Sequence, residues 1–277
     1  MLCCEVFGGV YKNTSNAFTA LELIHNGTLI HDDFIDDDQY RRGKNSVHTE
    51  YGKKRAVLAG DILLSMSLKY ATKTGKISIV EQLSEAAVKM VQGVALQTYF
   101  RRKIIPISKY LDLAYLKSGS LFETAAVIGG LLNDIDEGSI SRLANFGKNF
   151  GIAYQIRDDI VDIISNLDNP IRSDILNGDI SLPLIYAVES ENISQTCKDL
   201  LLKIFHGEKT EFNESEVLGI FYESNAFDKA LDKMKCYANE SSKNLEGWHG
   251  PAIDGLKYLI NENYMEYSLT DKINEEK

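Results

Sequence analysis

The chain carries five aspartates within seven residues, directly after an apolar run. They are Asp32, Asp33, Asp36, Asp37 and Asp38. If residues 21–36 form one helix, the carboxylates of Asp32 and Asp36 project from the same face, one turn apart. Like charges placed so closely repel each other unless a cation lies between them. Carboxylate oxygens are hard ligands that suit Mg²⁺, an ion usually shared with substrate phosphates.

A second copy of this pattern begins 126 residues later (158 − 32 = 126). It consists of Asp158, Asp159 and Asp162, and it again follows an apolar approach. An acidic run alone is also typical of a solvated helix end, and the second copy makes that interpretation less favourable. Two helices that each carry Asp-Asp-x-x-Asp and face each other would hold divalent ions able to grip a diphosphate from both sides. Metal ions so placed neutralise the charge that builds on departing oxygens.

The elements that must position these carboxylates are predicted to be helices. Apolar residues recur with helical periodicity throughout the chain, only 4 prolines occur, and no long Ser- or Gly-rich linker is present. One clear stripe, which we interpret as core packing, comprises Val80, Leu83, Ala87, Met90, Val91 and Val94. With 277 residues, 44% of them apolar, the chain can bury a large core. We therefore expect a single all-α domain over residues 1–277, a large helical bundle with a central cleft.

Composition excludes several classes of function. The net charge of -10 opposes a nucleic-acid partner, whose binding surface should be basic. Four cysteines show no CxxC spacing, which favours reduced thiols in a cytoplasmic protein. The opening residues lack the basic segment of a signal peptide, and no apolar run reaches the length of a transmembrane segment.

Further motifs accompany the two acidic ones. RRGK-x-x-x-H follows the first, Lys117-Ser118-Gly119 lies between them, and GIAYQIRDDIVD contains the second. In this order the motifs resemble the trans-isoprenyl diphosphate synthases, or polyprenyl synthases, of the farnesyl and geranylgeranyl diphosphate synthase type. The resemblance runs from about Met1 to about Ala187.

The resemblance implies the isoprenoid synthase fold and a Mg²⁺-dependent prenyltransferase that acts as a homodimer. Such an enzyme condenses isopentenyl diphosphate with an allylic diphosphate and releases diphosphate and a trans-polyprenyl diphosphate of C15–C20 or longer. The resemblance also implies three Mg²⁺ ions when substrate is bound. The expected metal ligands are Asp32, Asp33, Asp36, Asp158, Asp159 and Asp162, of which Asp32, Asp36 and Asp158 are also expected to be catalytic.

Roles for the remaining site residues follow from the same resemblance. His25 and Arg42 would bind isopentenyl diphosphate, and Arg41 would bind the allylic diphosphate. Lys117 and Ser118 would hold the allylic diphosphate, and Gln155 would bind substrate near the reacting carbons. Lys117 and Gln155 are also expected to be catalytic. The chain-length positions lie before the first acidic motif. Gly27 and Thr28 are small and leave room for a long product, unless the bulkier side chain of Ile24 or Leu21 closes the tunnel.

The chain also departs from the family pattern. By the resemblance, its first residues correspond to the stretch just after the family's Gly-Lys-x-x-Arg-Pro element of the isopentenyl site. Asn169 and Asp179 stand where the family usually has lysines, and Arg172 is a candidate substitute for the first of these. Two alternatives therefore remain open. One is a catalytically impaired regulatory subunit of a prenyl synthase; the other is a terpene cyclase, against which the Asp-Asp-x-x-Asp form of the second motif argues.

Overall fold

The computed structural model has the predicted all-α architecture. It describes residues 1–9, 14–166 and 174–267. Within these ranges the α-helices are, in chain order, α1 Leu2–Glu5, α2 Thr14–Ile35, α3 Val47–Tyr51, α4 Lys53–Thr72, α5 Ile77–Phe100, α6 Ile107–Ala114, α7 Ser120–Leu131, α8 Glu137–Asn166, α9 Asp174–Asn177, α10 Leu182–Glu189, α11 Gln195–Phe205, α12 Glu214–Glu223, α13 Ala226–Lys243 and α14 Pro251–Ile260. Two π-helical turns, Tyr115–Gly119 and Asn261–Met265, continue α6 and α14.

A short antiparallel hairpin follows the first acidic motif. Its strands are β1 (Tyr40–Arg41) and β2 (Lys44–Asn45). The described part of the chain contains no other regular strand. Arg42 and Gly43 form the turn with φ values of 51° and 75°. The left-handed conformation at both turn positions is the one that two-residue hairpins require. The hairpin folds the basic residues back beside the aspartates that precede them.

The long helix α8 is the central element of the bundle. It packs mainly against α7 and α13 and also contacts the first π-turn. Ile152, Ile156, Ile160 and Ile163 are all buried and follow the spacing of one helix face. The second acidic motif lies on this same helix, so the core packing of α8 fixes the position of the motif.

The helix that carries the first acidic motif is held mainly by α4. A Cβ at Gly27 would lie 3.2 Å from the Gly60 carbonyl oxygen, and a Cβ at Gly60 would overlap the His31 ring. Both positions therefore depend on the absence of a side chain. Close approach of α2 and α4 fixes α2 up to the turn that contains Asp32.

The stripe on α5 is only partly core. Leu83 and Met90 are buried as predicted, but Val91 is 61% exposed, so its assignment to the core is wrong. The side chain lies on the outer face of α5. Helical periodicity alone does not distinguish a core face from a face left for another partner.

After Glu189 the charge is mixed, and Asn213 and the run Trp248-His249-Gly250-Pro251 predict breaks, so short helices are expected there. The breaks are present. The side chain of Asn213 accepts a hydrogen bond from the Glu216 amide and caps α12, and Pro251 begins α14. The expectation of short helices after Glu189 is wrong for α13, which has 18 residues. All four cysteines are free thiols. Within the described ranges, no helix combines the length and apolar character needed to cross a membrane.

Candidate active site

The first acidic motif lies at the C-terminal end of α2. Asp32 is partly buried beside Asp36, and the Asp36 amide donates to the Asp32 carbonyl at 2.8 Å. Burial raises the pKa of Asp32 to about 6; the neighbouring Asp36 adds to this rise, whereas Lys117 opposes it. A cation that binds the two carboxylates would relieve the repulsion between them.

Asp33 has a different environment from Asp32. It is buried at 3% exposure, and its Oδ1 accepts a hydrogen bond from Nε of Arg41. Burial raises the pKa of Asp33, and the hydrogen bond and charge of Arg41 oppose that rise. Asp33 therefore orients Arg41, the residue predicted to bind the allylic diphosphate. A second ion pair of Arg41, from Nη2 to Asp38 Oδ2, is longer at 4.0 Å.

The predicted isopentenyl-binding residues lie near one another. Burial lowers the pKa of His25, and the charges of Arg42 and Arg41 lower it further. His25 is therefore favoured as the neutral imidazole. Arg42 is exposed, and within the described residues its guanidinium enters no salt bridge. The charges of both arginines act on His25, so the three residues lie in one region of the molecule.

The three carboxylates of the second acidic motif differ from one another. Asp158 is exposed. Asp159 is buried and accepts three hydrogen bonds, from the Tyr110 hydroxyl at 2.7 Å, the Gln155 side chain at 2.9 Å and the Leu182 amide at 3.1 Å. Burial raises its pKa to about 7. These contacts make Asp159 the anchor of the motif, whereas Asp158 faces the open side.

Asp162 connects the motif to a further acidic residue. Its Oδ2 accepts the backbone N–H of Asp174 at 2.8 Å. Burial raises the pKa of Asp174 well above its usual value, and Asp162 adds to the rise while Lys117 opposes it. Sequence reasoning missed Asp174, because its contacts come from tertiary packing.

Lys117 lies between the two acidic motifs. It belongs to the π-turn Tyr115–Gly119, where the extra residue in the turn changes the direction of the side chains. Burial lowers the pKa of Lys117, but the charges of Asp174 and Asp32 outweigh that effect and the pKa is raised. The ammonium is therefore charged and acts on both sides of the cleft.

The π-turn is held in place by contacts outside the cleft. The Tyr115 hydroxyl accepts from Lys89 Nζ at 2.8 Å and donates to Glu123 at 2.7 Å. A Cβ on Gly93 would lie 2.9 Å from the Lys117 backbone nitrogen, so α5 passes directly against the turn. These contacts fix the point from which the Lys117 side chain extends.

Ser118 and Gln155 form a hydrogen-bonded chain. Ser118 Oγ donates to Gln155 Oε1, and Gln155 Nε2 donates to Asp159 Oδ1 at 2.9 Å. Both ends of the Gln155 amide are therefore used, and the side chain is 9% exposed. In this arrangement Gln155 links the π-turn to the second acidic motif.

Arg101, at the end of α5, is a site residue that the motifs did not indicate. Its Nη2 donates to Asp36 Oδ1 at 2.6 Å and to Asp179 Oδ2 at 3.2 Å, and its Nε donates to Asp179 Oδ1 at 3.0 Å. Asp179 is the residue that stands where a lysine was expected. The only sequence signal for Arg101 is its place in the basic run that ends with Lys103.

The predicted chain-length residues lie one to two turns before the first acidic motif. Gly27 is at the contact between α2 and α4, with Leu63 and Leu64 within 3.3 Å of a Cβ built there. Thr28 is buried at 8% exposure, and its hydroxyl donates to the His25 carbonyl at 2.8 Å. Ile24 is buried in an apolar cluster with Leu83.

Two of the sequence-predicted positions fall outside the description of the structure. Arg172 and Asn169 belong to residues 167–173, which are not among the described ranges. Their predicted roles therefore stay predictions.

The donor set suits Mg²⁺ shared with a diphosphate. In the described ranges, no three His, Cys, Asp or Glu side chains converge into a metal site formed by protein alone. The acidic motifs instead supply hard oxygen ligands from two sides of a cleft. Mg²⁺ is commonly bound by one or two carboxylates together with substrate phosphates, so this divided arrangement fits the ion.

Comparison with known proteins gives consistent matches. The sequence model of the family described as polyprenyl synthetase matches residues 1–219, which extends beyond the limit of about Ala187 expected from the motifs. The chain is 31% identical to a short chain isoprenyl diphosphate synthase of Methanothermobacter thermautotrophicus over 83% of its length and 72% of that protein. It is 29% identical to a geranylgeranyl diphosphate synthase of Sulfolobus acidocaldarius, over 94% and 78% of the two chains.

Solved structures give the same result for the fold. A geranylgeranyl pyrophosphate synthetase from Pyrococcus horikoshii superposes with a TM-score of 0.84 at 30% identity, over 96% of this chain and 84% of that one. A decaprenyl diphosphate synthase from Rhodobacter capsulatus superposes with a TM-score of 0.89, over 96% and 83% of the two chains. Its identity of 22% makes it evidence for the fold alone.

Proposed function

Because the chain belongs to the polyprenyl synthetase family and is a trans-prenyltransferase, we propose that it joins isopentenyl diphosphate to an allylic diphosphate with the aid of Mg²⁺. The products are a trans-polyprenyl diphosphate of C15–C20 or longer and diphosphate. The observation that carries this proposal is a cavity lined by Lys117 together with Gln155 and Asp159 of the second motif. The charge of Lys117 also acts on Asp32 of the first motif.

Asp32 and Asp36 on one side, and Asp158 with Asp162 on the other, would hold the metal ions. Bound Mg²⁺ neutralises the charge that develops on the diphosphate oxygens as the allylic C–O bond breaks. Asp159 is buried and accepts three hydrogen bonds from within the protein, so its part is to fix the motif rather than to bind the ion. Asp33 likewise would act indirectly, because its hydrogen bond orients the Arg41 side chain.

The cationic side chains bind and orient the two diphosphates. Lys117 and Arg41 lie beside the first motif and would bind the allylic diphosphate. His25, on which the charge of Arg42 acts, would bind isopentenyl diphosphate together with Arg42. A guanidinium binds phosphate oxygens through two parallel donors, which holds the substrate in one orientation.

The condensation then needs no protein nucleophile. The allylic C–O bond breaks and its electron pair leaves with diphosphate, which leaves an allylic carbocation. The double bond of isopentenyl diphosphate attacks this carbon and forms the new C–C bond. The released diphosphate takes the proton that is lost when the new double bond forms.

A homodimer is the proposed assembly. Ten of the eighteen exposed large apolar side chains in the described residues lie on α4 and α5; examples are Leu58, Ile62, Val88, Val91 and Tyr99. Leu58, Ile62 and Met66 follow one face of α4 at four-residue spacing. An apolar face of this extent is typical of a protein–protein interface. Free thiols throughout support a cytoplasmic location.

The test is the reaction itself. Purified protein is incubated with radiolabelled isopentenyl diphosphate and, separately, each of the C5, C10 and C15 allylic diphosphates, with Mg²⁺ or with EDTA. Label in a prenyl product, formed only with Mg²⁺, is the expected result and gives the chain length. No incorporation despite binding of the allylic diphosphate would support a regulatory subunit instead. Conversion of the allylic diphosphate to hydrocarbon would support a cyclase.

A further inference from the structure

Arg101 connects three separate parts of the molecule. It extends from the end of α5 and contacts Asp36, which follows α2, and Asp179, which precedes α10. In sequence it lies 65 residues from Asp36 and 78 residues from Asp179. No motif of the sequence includes it, and the roles proposed above do not use it.

The contact explains an unexpected acidic residue. Asp179 is buried at 5% exposure, and a buried carboxylate is costly unless it is paired. Both of its oxygens accept hydrogen bonds from Arg101, at 3.0 and 3.2 Å. The two residues therefore form a forked ion pair, which fixes the plane of the guanidinium. The acid that replaces the expected lysine is thus neutralised by an arginine from another helix.

Arg101 retains capacity for a further ligand. Its Nε and Nη2 are used, whereas Nη1 makes no hydrogen bond to any described residue. The side chain is 26% exposed, so Arg101 is not closed off from the cleft side of the protein by full burial. Nη2 also lies 2.6 Å from an oxygen of Asp36, so the group is at the first acidic motif.

From this geometry, and on the basis of the proposed function, we propose that Arg101 is a diphosphate-binding residue of this chain. Asp179 holds the edge formed by Nε and Nη2, and the remaining nitrogen, Nη1, binds an oxygen of the diphosphate that lies between the acidic motifs. The cation that the family pattern places at position 179 is thereby supplied from α5. Asp179 is a positioning residue that acts through Arg101.

The rival interpretation is that Arg101 only ties α5 to its neighbours. The two interpretations differ in what removal of the guanidinium does to the binding of a diphosphate. A purely structural tie would lower the urea concentration at the unfolding midpoint and leave the affinity of the folded protein unchanged.

The experiment measures the Kd of inorganic pyrophosphate in the presence of Mg²⁺ by calorimetry, with urea unfolding on the same samples. Arg101→Gln is expected to weaken binding about ten- to a hundredfold, because charge-assisted hydrogen bonds to the ligand are lost. Arg101→Lys keeps the charge but not the fork, and about three- to tenfold weaker binding is expected. Lys109→Gln removes an exposed charge on α6 and is the matched control, with wild-type affinity expected.

A double variant tests the relocation of the charge. The double variant Arg101→Gln/Asp179→Lys removes the buried acid and places a positive charge at position 179. It is expected to bind pyrophosphate at least about fivefold more tightly than Arg101→Gln. Folded Arg101→Gln or Arg101→Lys protein with an affinity within about twofold of wild type would overturn the proposal.

This test is separable from that of the proposed function. Wild-type protein that forms a prenyl product, with unchanged pyrophosphate binding in the variants, refutes the role of Arg101 alone. Wild-type protein that binds pyrophosphate through Arg101 but forms no product supports that role and refutes the synthase activity.

Discussion

Alanine at Gly93 should disturb the active site without touching any substrate-binding side chain. A Cβ at this position would lie 2.9 Å from the Lys117 nitrogen, 3.0 Å from the Leu116 carbonyl carbon and 3.1 Å from the Lys117 Cα. An ordinary contact begins at 3.4 Å, so these contacts are too short by 0.3 to 0.5 Å (3.4 − 3.1 and 3.4 − 2.9). All three atoms belong to the backbone of the π-turn, which must therefore move as a unit.

The size of the effect follows from that displacement. Overpacking of this kind costs about 1–3 kcal/mol of unfolding free energy. A shift of several tenths of an ångström at the base of Lys117 is expected to lower kcat about ten- to a hundredfold, because catalysis depends on positioning at this scale. The assay is the steady-state rate of condensation at saturating substrates, together with the urea unfolding midpoint.

Gly219 provides the matched control. It lies within α12, and nothing comes within 4 Å of a Cβ built there. Gly219→Ala should leave the rate unchanged and raise the unfolding free energy by up to about 1 kcal/mol, the propensity gain of alanine in a helix. Wild-type rate and stability in Gly93→Ala would refute the close contact between α5 and the π-turn.

Three further predictions concern the tunnel, the ionisation of the cleft and the assembly. Thr28→Phe should shorten the product in the C5–C15 assay, because a bulky ring replaces a small buried side chain; an unchanged length would remove Thr28 from the tunnel wall. In EDTA, stability should fall by a few kcal/mol as pH rises from about 4 to about 7. The folded-state pKa values of Asp32 and Asp159, about 6 and about 7, exceed the unfolded value, so the folded state binds more protons in that window. Asp32→Asn should reduce this slope, and an identical slope would contradict the assigned burial. Ile62→Glu with Val91→Glu should give monomers in light scattering, whereas an unchanged assembly would place the interface elsewhere.

The sequence predicts much of the framework because helices and motifs are local. The helix carrying Asp32 was expected to reach residue 36, and α2 ends at Ile35. The breaks at Asn213 and Pro251 follow from capping and ring geometry, which depend on adjacent residues. For the same reason, the two acidic motifs could be recognised as a pair before any contact was known.

The individual environments of the motif residues could not be predicted. Asp158 and Asp159 are neighbours in sequence, yet one is exposed and the other accepts three hydrogen bonds in the core. A turn of about 100° per residue along a helix separates them, and only tertiary packing determines what each side chain meets. Arg101 illustrates the same limit, since its partners lie 65 and 78 residues away. The core assignment of Val91 failed because a helix can present apolar faces to two different partners.

The central claim is that carboxylates from two sides of the cleft act together on one metal-bound diphosphate. The most direct measurement is the rate of condensation by Asp158→Ala, with Asp232→Ala on the exposed face of α13 as control. We expect turnover to be lost in Asp158→Ala at unchanged helical content, while Asp232→Ala retains the wild-type rate. Normal turnover by folded Asp158→Ala protein would contradict the claim.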